Sequence, residues 1–536
     1  MQEEVQDIIQ IGLGPVGLTM AALIGQSGHT ATVVERQPNL YGLPRAGHID
    51  HEIVRILQSV GADGPVMADC YPTTEYLWVN NDGETLLEFD WGAKGISGYN
   101  SDYMQYQPVL EDALLTSVAA EPTVTLLRGW QAIAFHERED YIEVVVRKTA
   151  SEYGNPTPGV TEEERVLRGR YLVGADGAGS AVRNWLGIER DDLGFNERWL
   201  DVDARKKREL SFAFDCGQIC DPARPRCVLP LGKRHRRWEW SLLEGETTEE
   251  FQKPEKAWQL LADFGIGPDD VEIVRQLVYT FEARTAVQWR RGNAFLIGDA
   301  AHTMPPFMGQ GMCSGMRDAK NLMWKLDLVL RGLAGGALLD TYQEELRPYA
   351  LDWTLISLEA GKVPCITDPV AAKERDELFR SGFLPPMPDF PQVRHGVIAQ
   401  QDGGRPAGAA GELGLQARVQ RGDSVELFDH AFNAGGRWQV ISTVGDPRSV
   451  LSPGQLEMLD RLGTVFTHLA PEAGGDAVDV DGEYATYLAQ REAEVVVMRP
   501  DFYVFGTAAV LAELPVLVDE LERRLGVASA VEIGSS

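Results

Sequence analysis

The N-terminal segment constrains the fold more than any other part of the chain. An apolar strand, residues 7–11, runs into the sequence GLGPVG (residues 12–17), and a stretch with helical apolar spacing follows and stops at Gly28. A second strand, residues 30–35, ends in the acid Glu35. This βαβ unit with G-x-G-x-x-G at its first turn predicts a Rossmann-like domain that binds a dinucleotide, the alternative being a plain βα turn. The glycines let the backbone approach a pyrophosphate, and the helix N-terminus offers it free N–H groups.

Two later strands end in a similar way. Residues 169–188 predict a buried strand that stops at Asp176 before a helix. In residues 295–326 an apolar strand stops at Asp299, and a turn rich in glycine and proline leads into a helix. The C-terminal ends of strands in an open α/β sheet converge on the ligand crevice, where a carboxylate is a strong acceptor for sugar or ribityl hydroxyls. For either acid alone, the alternative is a helix N-cap.

Composition and charge narrow the class of protein. A chain of 536 residues is expected to form more than one domain. Its net charge of −30 argues against nucleic acid or an anionic membrane as a partner, because both require clustered Lys and Arg. The start MQEEVQD lacks the regions of a signal peptide, and no apolar run approaches a membrane span, so we expect a cytoplasmic protein. We expect no metal site, because the cysteines fit neither a disulfide framework nor a zinc pattern and are interpreted as reduced structural thiols: Cys70, Cys216, Cys220, Cys227, Cys313 and Cys365.

The rest of the chain divides into a strand-rich middle and a separate C-terminal part. Residues 195–281 alternate as expected for an antiparallel sheet with one exposed face. A proline-rich linker is predicted at residues 385–391. Further predicted helices lie at 103–121, 346–364, 452–470 and 508–526, and further predicted strands at 123–137, 141–148, 437–445, 493–500 and 502–508.

Several of these motifs together carry a family resemblance. The chain resembles the class A FAD-dependent aromatic hydroxylases, a family of flavoprotein monooxygenases, in GLGPVGL with Glu35, in GADGAGSAVR and in GDAAHTMPPFMGQGMCSGMRDAKNLMWKL. Within that family it is most similar to the hydroxylases of 3-(3-hydroxyphenyl)propionate, in PRAGHIDHE, RRWEW, GETTEE, VRQLVYTFEARTA, LLDTYQEELRPYA and VVVMRPD. The resemblance covers nearly the whole chain in order.

The resemblance implies an α/β fold in which a Rossmann-like FAD-binding domain is interleaved with an antiparallel-sheet substrate domain, followed by a C-terminal thioredoxin-like domain. Its implied boundaries are 1–75, 101–190 and 284–345 for the FAD-binding domain, 76–100 and 191–283 for the substrate domain, 346–391 for a helical segment and linker, and 392–536 for the thioredoxin-like domain. No cysteine follows Cys365, so thioredoxin redox chemistry is excluded there, and packing or homodimer formation remains.

The same resemblance implies which residues hold the cofactor. Gly12, Gly14 and Gly17 would cradle the pyrophosphate of FAD, with Glu35 on the adenosine ribose. Arg36, the next residue, is also assigned to the cofactor.

Other residues are assigned to the flavin end. Gln107 and Asp299 would contact the ribityl side, and Asp176, in one motif with Arg183, would lie between FAD and the reduced nicotinamide. The turn Gly309–Met312 would present backbone N–H groups to the edge of the flavin ring, where the helix dipole stabilises negative charge. The assigned residues of this turn are Gly309, Gly311 and Met312.

Candidate catalytic residues are His48, Arg45 and Pro306. Arg45 would lie near the flavin ring and the nicotinamide, and the carbonyl of Pro306 would accept a hydrogen bond from the phenol. His48 has an ordinary pKa near 6.5, which suits a base, the alternative being a packed or solvated histidine. His302 is interpreted as structural.

Candidate substrate-binding residues include arginines, because a guanidinium binds a carboxylate in a bidentate manner. Arg236 or Arg237, with Tyr279 and Arg284, would meet an acidic substrate, and Pro306 would border it. The alternative for the arginine pair is a basic hairpin turn.

The implied reaction is hydroxylation of a small phenolic substrate, ortho or para to an existing hydroxyl. FAD would stay bound, NADH or NADPH would visit as co-substrate, and O2 would be captured as the flavin hydroperoxide. Alternatives are a hydroxylase of polyketide or halogenated phenols, a non-catalytic flavoprotein, and a flavin-dependent halogenase. The last is suggested by residues 238–240 (WEW), although Ile-Pro does not follow and sheet packing explains the pair equally well.

Overall fold

The computed structural model describes residues 4–150, 159–212, 215–383, 390–472 and 474–526, so most of the predicted linker, residues 385–391, lies outside the described residues. The strands as far as residue 303 are β1 (Gln6–Ile11), β2 (Ala31–Glu35), β3 (His48–Asp50), β4 (Glu75–Val79), β5 (Thr85–Asp90), β6 (Asp102–Met104), β7 (Val124–Arg128), β8 (Trp130–Glu137), β9 (Ile142–Ala150), β10 (Gly159–Gly174), β11 (Arg190–Lys206), β12 (Gly217–Ile219), β13 (Arg226–Leu231), β14 (His235–Ser241), β15 (Val271–Ala286), β16 (Arg290–Arg291), β17 (Ala294–Leu296) and β18 (His302–Thr303). The helices of this part and the segment after it are α1 (Pro15–Gln26), α2 (His51–Ser59), α3 (Asp63–Asp69), α4 (Gln107–Ala119), α5 (Ala181–Leu186), α6 (Thr248–Phe251), α7 (Pro254–Ala262), α8 (Gln310–Leu330), α9 (Thr341–Gly361) and α10 (Pro369–Arg380), with 3-10 turns at Gly298–Ala300, Pro306–Met308 and Gly336–Asp340.

The C-terminal part has its own set of elements. Its strands are β19 (Arg418–Arg421), β20 (Ser424–Leu427), β21 (Gln439–Ser442), β22 (Val465–Ala470), β23 (Ala477–Asp479), β24 (Val495–Met498) and β25 (Val504–Ala508). Its helices are α11 (Phe428–Ala431), α12 (Pro453–Arg461), α13 (Glu483–Ala489) and α14 (Leu514–Leu525), with 3-10 turns at Pro447–Val450 and Leu511–Glu513. No helix among the described residues is long and apolar enough to cross a lipid bilayer.

The first sheet contains the predicted βαβ unit and has the strand order β16-β17-β10-β1-β2-β7, with β9 and β8 added through β10. The pairs from β17 to β7 are parallel. Helices α1, α4 and α8 pack together beside it, and Ile8, Val33 and Leu172 are fully buried. Burial on both faces explains why these strands are continuous apolar runs. The C-terminal ends of β1, β2, β10 and β17 therefore meet at one edge, as the sequence predicts.

The second sheet, of order β18-β15-β11-β14-β13-β12-β4-β5, is antiparallel except at the β12–β4 pair. This confirms the antiparallel sheet predicted between residues 195 and 281. One face is covered by α6 and α7, which bury Trp238 and Trp240 in an apolar cluster. Because successive side chains of a strand point to opposite faces, Arg237 and Glu239 lie on the other face. The two tryptophans of WEW, Trp238 and Trp240, thus pack on the covered face of the sheet.

The predicted helices differ in their bounds from those of the structure; for example, the helix predicted at 508–526 begins only at Leu514, and two further differences have a clear local cause. The helix predicted at residues 452–470 is wrong beyond Arg461, because β22 begins at Val465. Gly463, at φ 71°, stops the chain from continuing as a helix, and the following VFTHLA favours a strand through its β-branched and aromatic residues. In the 103–121 segment the first residues belong to β6, and α4 begins at Gln107 with Pro108 in its first turn, where proline fits.

The third sheet, of order β20-β19-β23-β22-β21-β24-β25, is joined to the rest of the protein by buried ion pairs. The Arg499 guanidinium lies 2.6 Å from Glu345 of α9, and the Arg55 Nε of α2 lies 2.7 Å from Asp429. The Tyr503 hydroxyl donates to Glu52 of α2 at 2.9 Å. Buried charge pairs tie partners together, because breaking one leaves an uncompensated charge.

Candidate active site

A cavity of about 1290 Å³ lies between the C-terminal edge of the first sheet and the uncovered face of the second. Every residue assigned above to the cofactor lines it, as do His48, Pro306 and Tyr279. Its volume exceeds that of a usual single-ligand pocket, about 300–1,000 Å³. The cavity can hold a large ligand beside a smaller one.

The glycine-rich turn forms one end of the cavity. Glu35 accepts hydrogen bonds from the backbone N–H of Leu13 at 2.9 Å and of Gln37 at 2.8 Å. Helix α1 begins after Gly14 without a side-chain cap. A Cβ atom added to Gly14 would have only the Arg45 guanidinium near it, at 4.0 Å. The first N–H groups of α1 therefore face open space in which a phosphate group fits.

The two strand-end acids differ in how they are bonded. Asp176 caps α5, because it accepts hydrogen bonds from the N–H of Ala181 at 2.7 Å and of Val182 at 3.2 Å. Asp299 has no hydrogen-bond or ion-pair partner within the part of the chain that is described, and its side chain is open to the cavity. Although the Asp299 side chain is exposed to the cavity, desolvation by the surrounding cavity walls raises its pKa, and His302 and Arg45 act against the shift. A ligand with hydroxyl groups would supply the missing donors.

Arg183 and His302 hold these strand ends together without lining the cavity. Arg183 donates to the carbonyls of Ala178 at 2.7 Å and Ala300 at 2.8 Å, so it joins the two motifs. His302 lies 2.7 Å from the Asp318 carboxylate, which also accepts the N–H of Gly298 at 2.8 Å. His302 is thus bonded within the protein, to a side chain, and does not line the cavity.

The turn before α8 is fixed by His48. Gly309 has φ 63° and precedes the first residue of α8 without a side-chain cap. His48 bonds Asp102 at 2.8 Å through Nε2 and lies 3.3 Å from the Gly309 carbonyl through Nδ1. Burial lowers the pKa of His48, but the bond to Asp102 and the contact with Cys313 outweigh it, and the pKa is raised well above its ordinary value. Both ring nitrogens of His48 are engaged within the protein, and this bonding argues against the expected role of a free base.

Arg45 and Gln107 belong to one bonded loop. The Gln107 side chain accepts the backbone N–H of Ala46 at 2.7 Å and donates to Glu111 at 2.6 Å, and Arg45 donates to the same Glu111 carboxylate at 2.8 Å. The Gln107 amide thus supports the loop that carries Arg45. Sequence reasoning missed Glu111 and Asp102, although the i, i+4 spacing of Gln107 and Glu111 on a helix was a usable signal.

The second sheet forms the opposite wall of the cavity. Arg237 lines it and is bonded to both carboxylate oxygens of Asp203, at 2.6 and 3.0 Å, and to the Arg45 carbonyl at 2.7 Å. Tyr279 also lines the wall, with its hydroxyl bonded by Arg275.

The two other predicted substrate arginines lie elsewhere. The Arg236 guanidinium stacks on the Phe212 ring, 3.7 Å from its centroid, on the face that Trp238 occupies. Arg284 is paired with Asp192 and Glu282. Neither lines the cavity, so the structure does not support the prediction that they meet the substrate.

The donor set fits a flavin dinucleotide. Three features occur along one cavity: the uncapped N-terminus of α1, the Asp299 carboxylate, which has no partner among the described residues, and the uncapped N-terminus of α8 after Gly309. These groups suit a pyrophosphate, a polyhydroxyl chain and an electron-rich ring edge.

Comparison with known proteins agrees with this site. The family model for an FAD binding domain matches residues 5–355, and the model for the HcaD C-terminal domain matches residues 411–524. The chain belongs to the FAD-dependent aromatic hydroxylases, the class A flavoprotein monooxygenases.

Two relatives align along almost the full length. A probable NADH-specific resorcinol 4-hydroxylase of Rhodococcus jostii (strain RHA1) is 35% identical over 522 residues, which cover 96% of this chain and 94% of the relative. The 3-(3-hydroxy-phenyl)propionate/3-hydroxycinnamic acid hydroxylase of Escherichia coli (strain K12) is 32% identical over 542 residues, with 95% and 93% covered.

Solved structures share the fold. The flavin-dependent monooxygenase PieE, in complex with FAD and substrate, superposes with a TM-score of 0.76 at 20% identity, covering 98% of this chain and 100% of that one. Aklavinone-11 hydroxylase with FAD and aklavinone gives 0.76 at 22% identity, with the same coverage.

Proposed function

We propose that this protein hydroxylates a phenolic ring, using bound FAD, a reduced nicotinamide and O2. The observation that carries this function is the single cavity that joins the glycine-rich turn, Asp299 and the Gly309 turn to the wall of the second sheet. The names of both relatives describe phenol hydroxylases, and one describes an NADH-specific enzyme. NADH is therefore the proposed co-substrate.

FAD is proposed to lie along the cavity with its pyrophosphate at Gly12, Gly14 and Gly17. Glu35 and Arg36 are proposed at the adenosine end. The support is that the first turn of α1 is uncapped and open to the cavity.

The ribityl chain is proposed to reach Asp299, whose carboxylate has no partner among the described residues. The flavin ring is proposed at Gly309, Gly311 and Met312, with Asp176 near the nicotinamide. FAD, when bound, would accept a hydride from the nicotinamide and activate O2.

His48 is proposed to act as a cation that fixes the Gly309 carbonyl rather than as a base. With α8, whose positive dipole end begins at Gln310, it would favour negative charge beside the turn. The Pro306 carbonyl accepts the N–H of Gly309 at 2.8 Å, and its second lone pair is proposed to accept a phenolic hydroxyl. Arg45 is proposed to stay near the ring through its bond to Glu111.

The C-terminal part is proposed to be a thioredoxin-like domain. The support is the run of three parallel strands β23, β22 and β21 followed by antiparallel β24 and β25, with α12 and α14 packed together. Because no cysteine follows Cys365, the proposed role of this domain is packing or homodimer formation rather than redox chemistry.

The test is incorporation of labelled oxygen. The purified flavoprotein is incubated with NADH, a phenol and ¹⁸O2, and the product is analysed by mass spectrometry. One NADH and one O2 should yield one hydroxylated phenol with one ¹⁸O atom, the other atom leaving as water. NADH oxidation that forms only hydrogen peroxide with every phenol would refute the proposal.

A further inference from the structure

A set of buried side chains holds the first residue of α8 from the side opposite the cavity. Gln310 begins α8 and lies within the cavity-lining run Gly309–Met312, yet it is only 3% exposed. Its side-chain amide donates to Asp50 through Nε2 at 3.0 Å and accepts from Arg317 through Oε1 at 2.7 Å. Both polar atoms of this amide are therefore bonded within the protein.

Arg317, two turns further along α8, joins Gln310 to two acids. Its Nη1 donates to Gln310, its Nε to Glu52 at 2.5 Å, and its Nη2 to Asp50. The three guanidinium nitrogens thus each have a different partner. A planar guanidinium holds its donors in fixed directions, which the ammonium group of a lysine cannot reproduce. Arg317 therefore fixes Gln310 relative to β3 and α2.

The short strand β3 holds the same turn at two points. Asp50, its last residue, accepts two backbone N–H groups at the start of α2, at 3.0 and 3.1 Å, so its carboxylate is fixed in place. His48, its first residue, lies 3.3 Å from the Gly309 carbonyl. Gly309 is thus contacted through His48, and Gln310 through Asp50.

The contacts continue into the C-terminal part of the chain. The Glu52 carboxylate, bonded to Arg317 through Oε2, accepts the Tyr503 hydroxyl at 2.9 Å through Oε1. Tyr503 directly precedes β25 of the third sheet. The contact series Tyr503–Glu52–Arg317–Gln310 therefore runs from the third sheet to the first residue of α8. Its members are 3–5% exposed, and polar contacts of buried groups are the ones whose loss is most costly.

The position of this turn matters for a ligand at the ring-edge end of the cavity. The positive end of a helix dipole acts on a nearby negative charge, and its effect falls off within the first turn. A small displacement of Gln310 would therefore change how strongly the first N–H groups of α8 stabilise such a charge.

We propose that Arg317 is a positioning residue for the flavin, because it holds the first turn of α8, through Gln310, where that turn stabilises the reduced flavin. Tyr503 and Glu52 support Arg317 from the C-terminal part. This inference rests on the FAD site proposed above. It gives the C-terminal part a role in the redox properties of the active site in addition to packing.

The test is the midpoint potential of the bound flavin, measured anaerobically against a reference dye without a phenol or NADH. Arg317→Lys and Gln310→Met should each lower the ratio of reduced to oxidised FAD affinity about three- to tenfold. This change corresponds to a fall of about 15–30 mV, because a tenfold change in a two-electron couple is about 30 mV. Arg317→Lys keeps the positive charge, so an unchanged potential in this variant would overturn the positioning role.

A second variant keeps the test decisive if a lysine between two buried acids prevents folding. Gln310→Met has a side chain of similar length and leaves the ion pairs of Arg317 with Asp50 and Glu52 in place. An unchanged potential in Gln310→Met would overturn the proposal by itself.

The matched control is Asp429→Asn. It removes the charge that pairs with Arg55 of α2 at 2.7 Å, a buried contact that also joins α2 to the C-terminal part but includes neither Arg317 nor Gln310. Denaturant unfolding should show a loss of stability in Asp429→Asn, while its midpoint potential should equal that of wild type. A shift as large as that of Arg317→Lys would show general loosening and overturn the proposal.

Tyr503→Phe tests the support from the C-terminal part. It should lower the affinity ratio about two- to threefold in wild type. In the Gln310→Met background it should have no further effect, because the turn is already disconnected from Arg317. The same decrease in both backgrounds, or none in wild type, would overturn the role of Tyr503.

The labelled-oxygen assay separates this inference from the proposed function. If a phenol is hydroxylated but neither Arg317→Lys nor Gln310→Met moves the potential, the inference fails and the proposed function stands. If FAD binds and the potentials shift as expected but no phenol is hydroxylated, the proposed function fails and the positioning role stands. If the protein binds no FAD, both fail.

Discussion

Gly309→Ala is expected to destabilise the turn before α8 in a way that depends on His48. Residue 309 has φ 63°, a conformation that costs an L-residue about 1–2 kcal/mol. An added Cβ would lie 2.6 Å from His48 Nδ1 and 2.7 Å from its Cγ, well inside normal contact. His48 cannot retreat freely, because Asp102 holds it at 2.8 Å and Trp91 packs against its ring.

The expected loss in free energy of unfolding is about 2–5 kcal/mol, from about 1–2 for the backbone and about 1–3 for overpacking. Denaturant unfolding of the FAD-free protein measures it. Gly311→Ala is the matched control, because its Cβ would meet only Met304 Cγ at 3.8 Å and its backbone is helical. It should be neutral or slightly stabilising.

A double variant separates the two contributions. When His48→Ala is the reference, adding Gly309→Ala should cost only the backbone part, about 1–2 kcal/mol, because the overpacking against the His48 ring is gone. If Gly309→Ala is no less stable than Gly311→Ala, or if removing the His48 ring recovers nothing, the account of this turn is wrong.

Three further predictions concern other contacts. Asp299→Ala should weaken FAD binding about 10- to 100-fold, because hydrogen bonds to a charged acceptor are lost. Asp340→Ala removes an exposed acid outside the cavity and should leave FAD binding unchanged. Equilibrium titration of the apoprotein with FAD measures both dissociation constants. Tyr503→Phe removes 2.9 Å hydrogen bonds to Glu52 and Tyr349 and should lower the free energy of unfolding by about 1–2 kcal/mol, and an unchanged unfolding curve would show that these bonds contribute nothing. Burial raises the pKa of Glu345, but Arg499 and Lys325 outweigh it and hold the pKa at about 2, below its ordinary 4.5. The ionised Glu345 therefore stabilises the folded protein above pH 4.5, and this stabilisation is lost as the pH falls towards 2. The free energy of unfolding of wild type should exceed that of Glu345→Gln by up to about 3 kcal/mol from this shift, and the difference should narrow as the pH falls from 4.5 to about 2. Denaturant unfolding at several pH values measures this difference, and a difference independent of pH would contradict the prediction.

The strand ends could be predicted from the sequence because their signals are local. The first strand, the glycine run and the acid Glu35 lie within residues 6–35, and Asp176 and Asp299 each lie within three residues of the end of their strand. Apolar runs buried on both faces leave few alternatives to a parallel sheet. The part of residues 452–470 beyond Arg461 was mispredicted because a short apolar stretch fits a helix or a strand until tertiary contacts decide.

The wall of the second sheet could not be predicted, because it depends on register between distant strands. Asp201 becomes a neighbour of Glu239 only through the pairing of β11 with β14, and Gln218 comes near Glu239 only through β13, which lies between their strands. Strand parity, however, was available in RRWEW. If Trp238 is buried in the core, Arg236 lies on its face and Arg237 on the cavity face.

The hydrogen-bond partners of His48 and Arg45 could not be predicted from the sequence either. Asp102 reaches His48 through the pairing of β3 with β6, more than fifty residues apart in the chain. No local pattern marks such a contact, and the contact is the reason why we propose that His48 fixes a turn rather than acting as a base.

Anaerobic stopped-flow reduction of the bound flavin by NADH tests the central claim most directly. If one cavity holds both FAD and the phenol, the bound substrate should accelerate flavin reduction by orders of magnitude over the enzyme alone. A reduction rate that is the same with every phenol and without one would contradict the account.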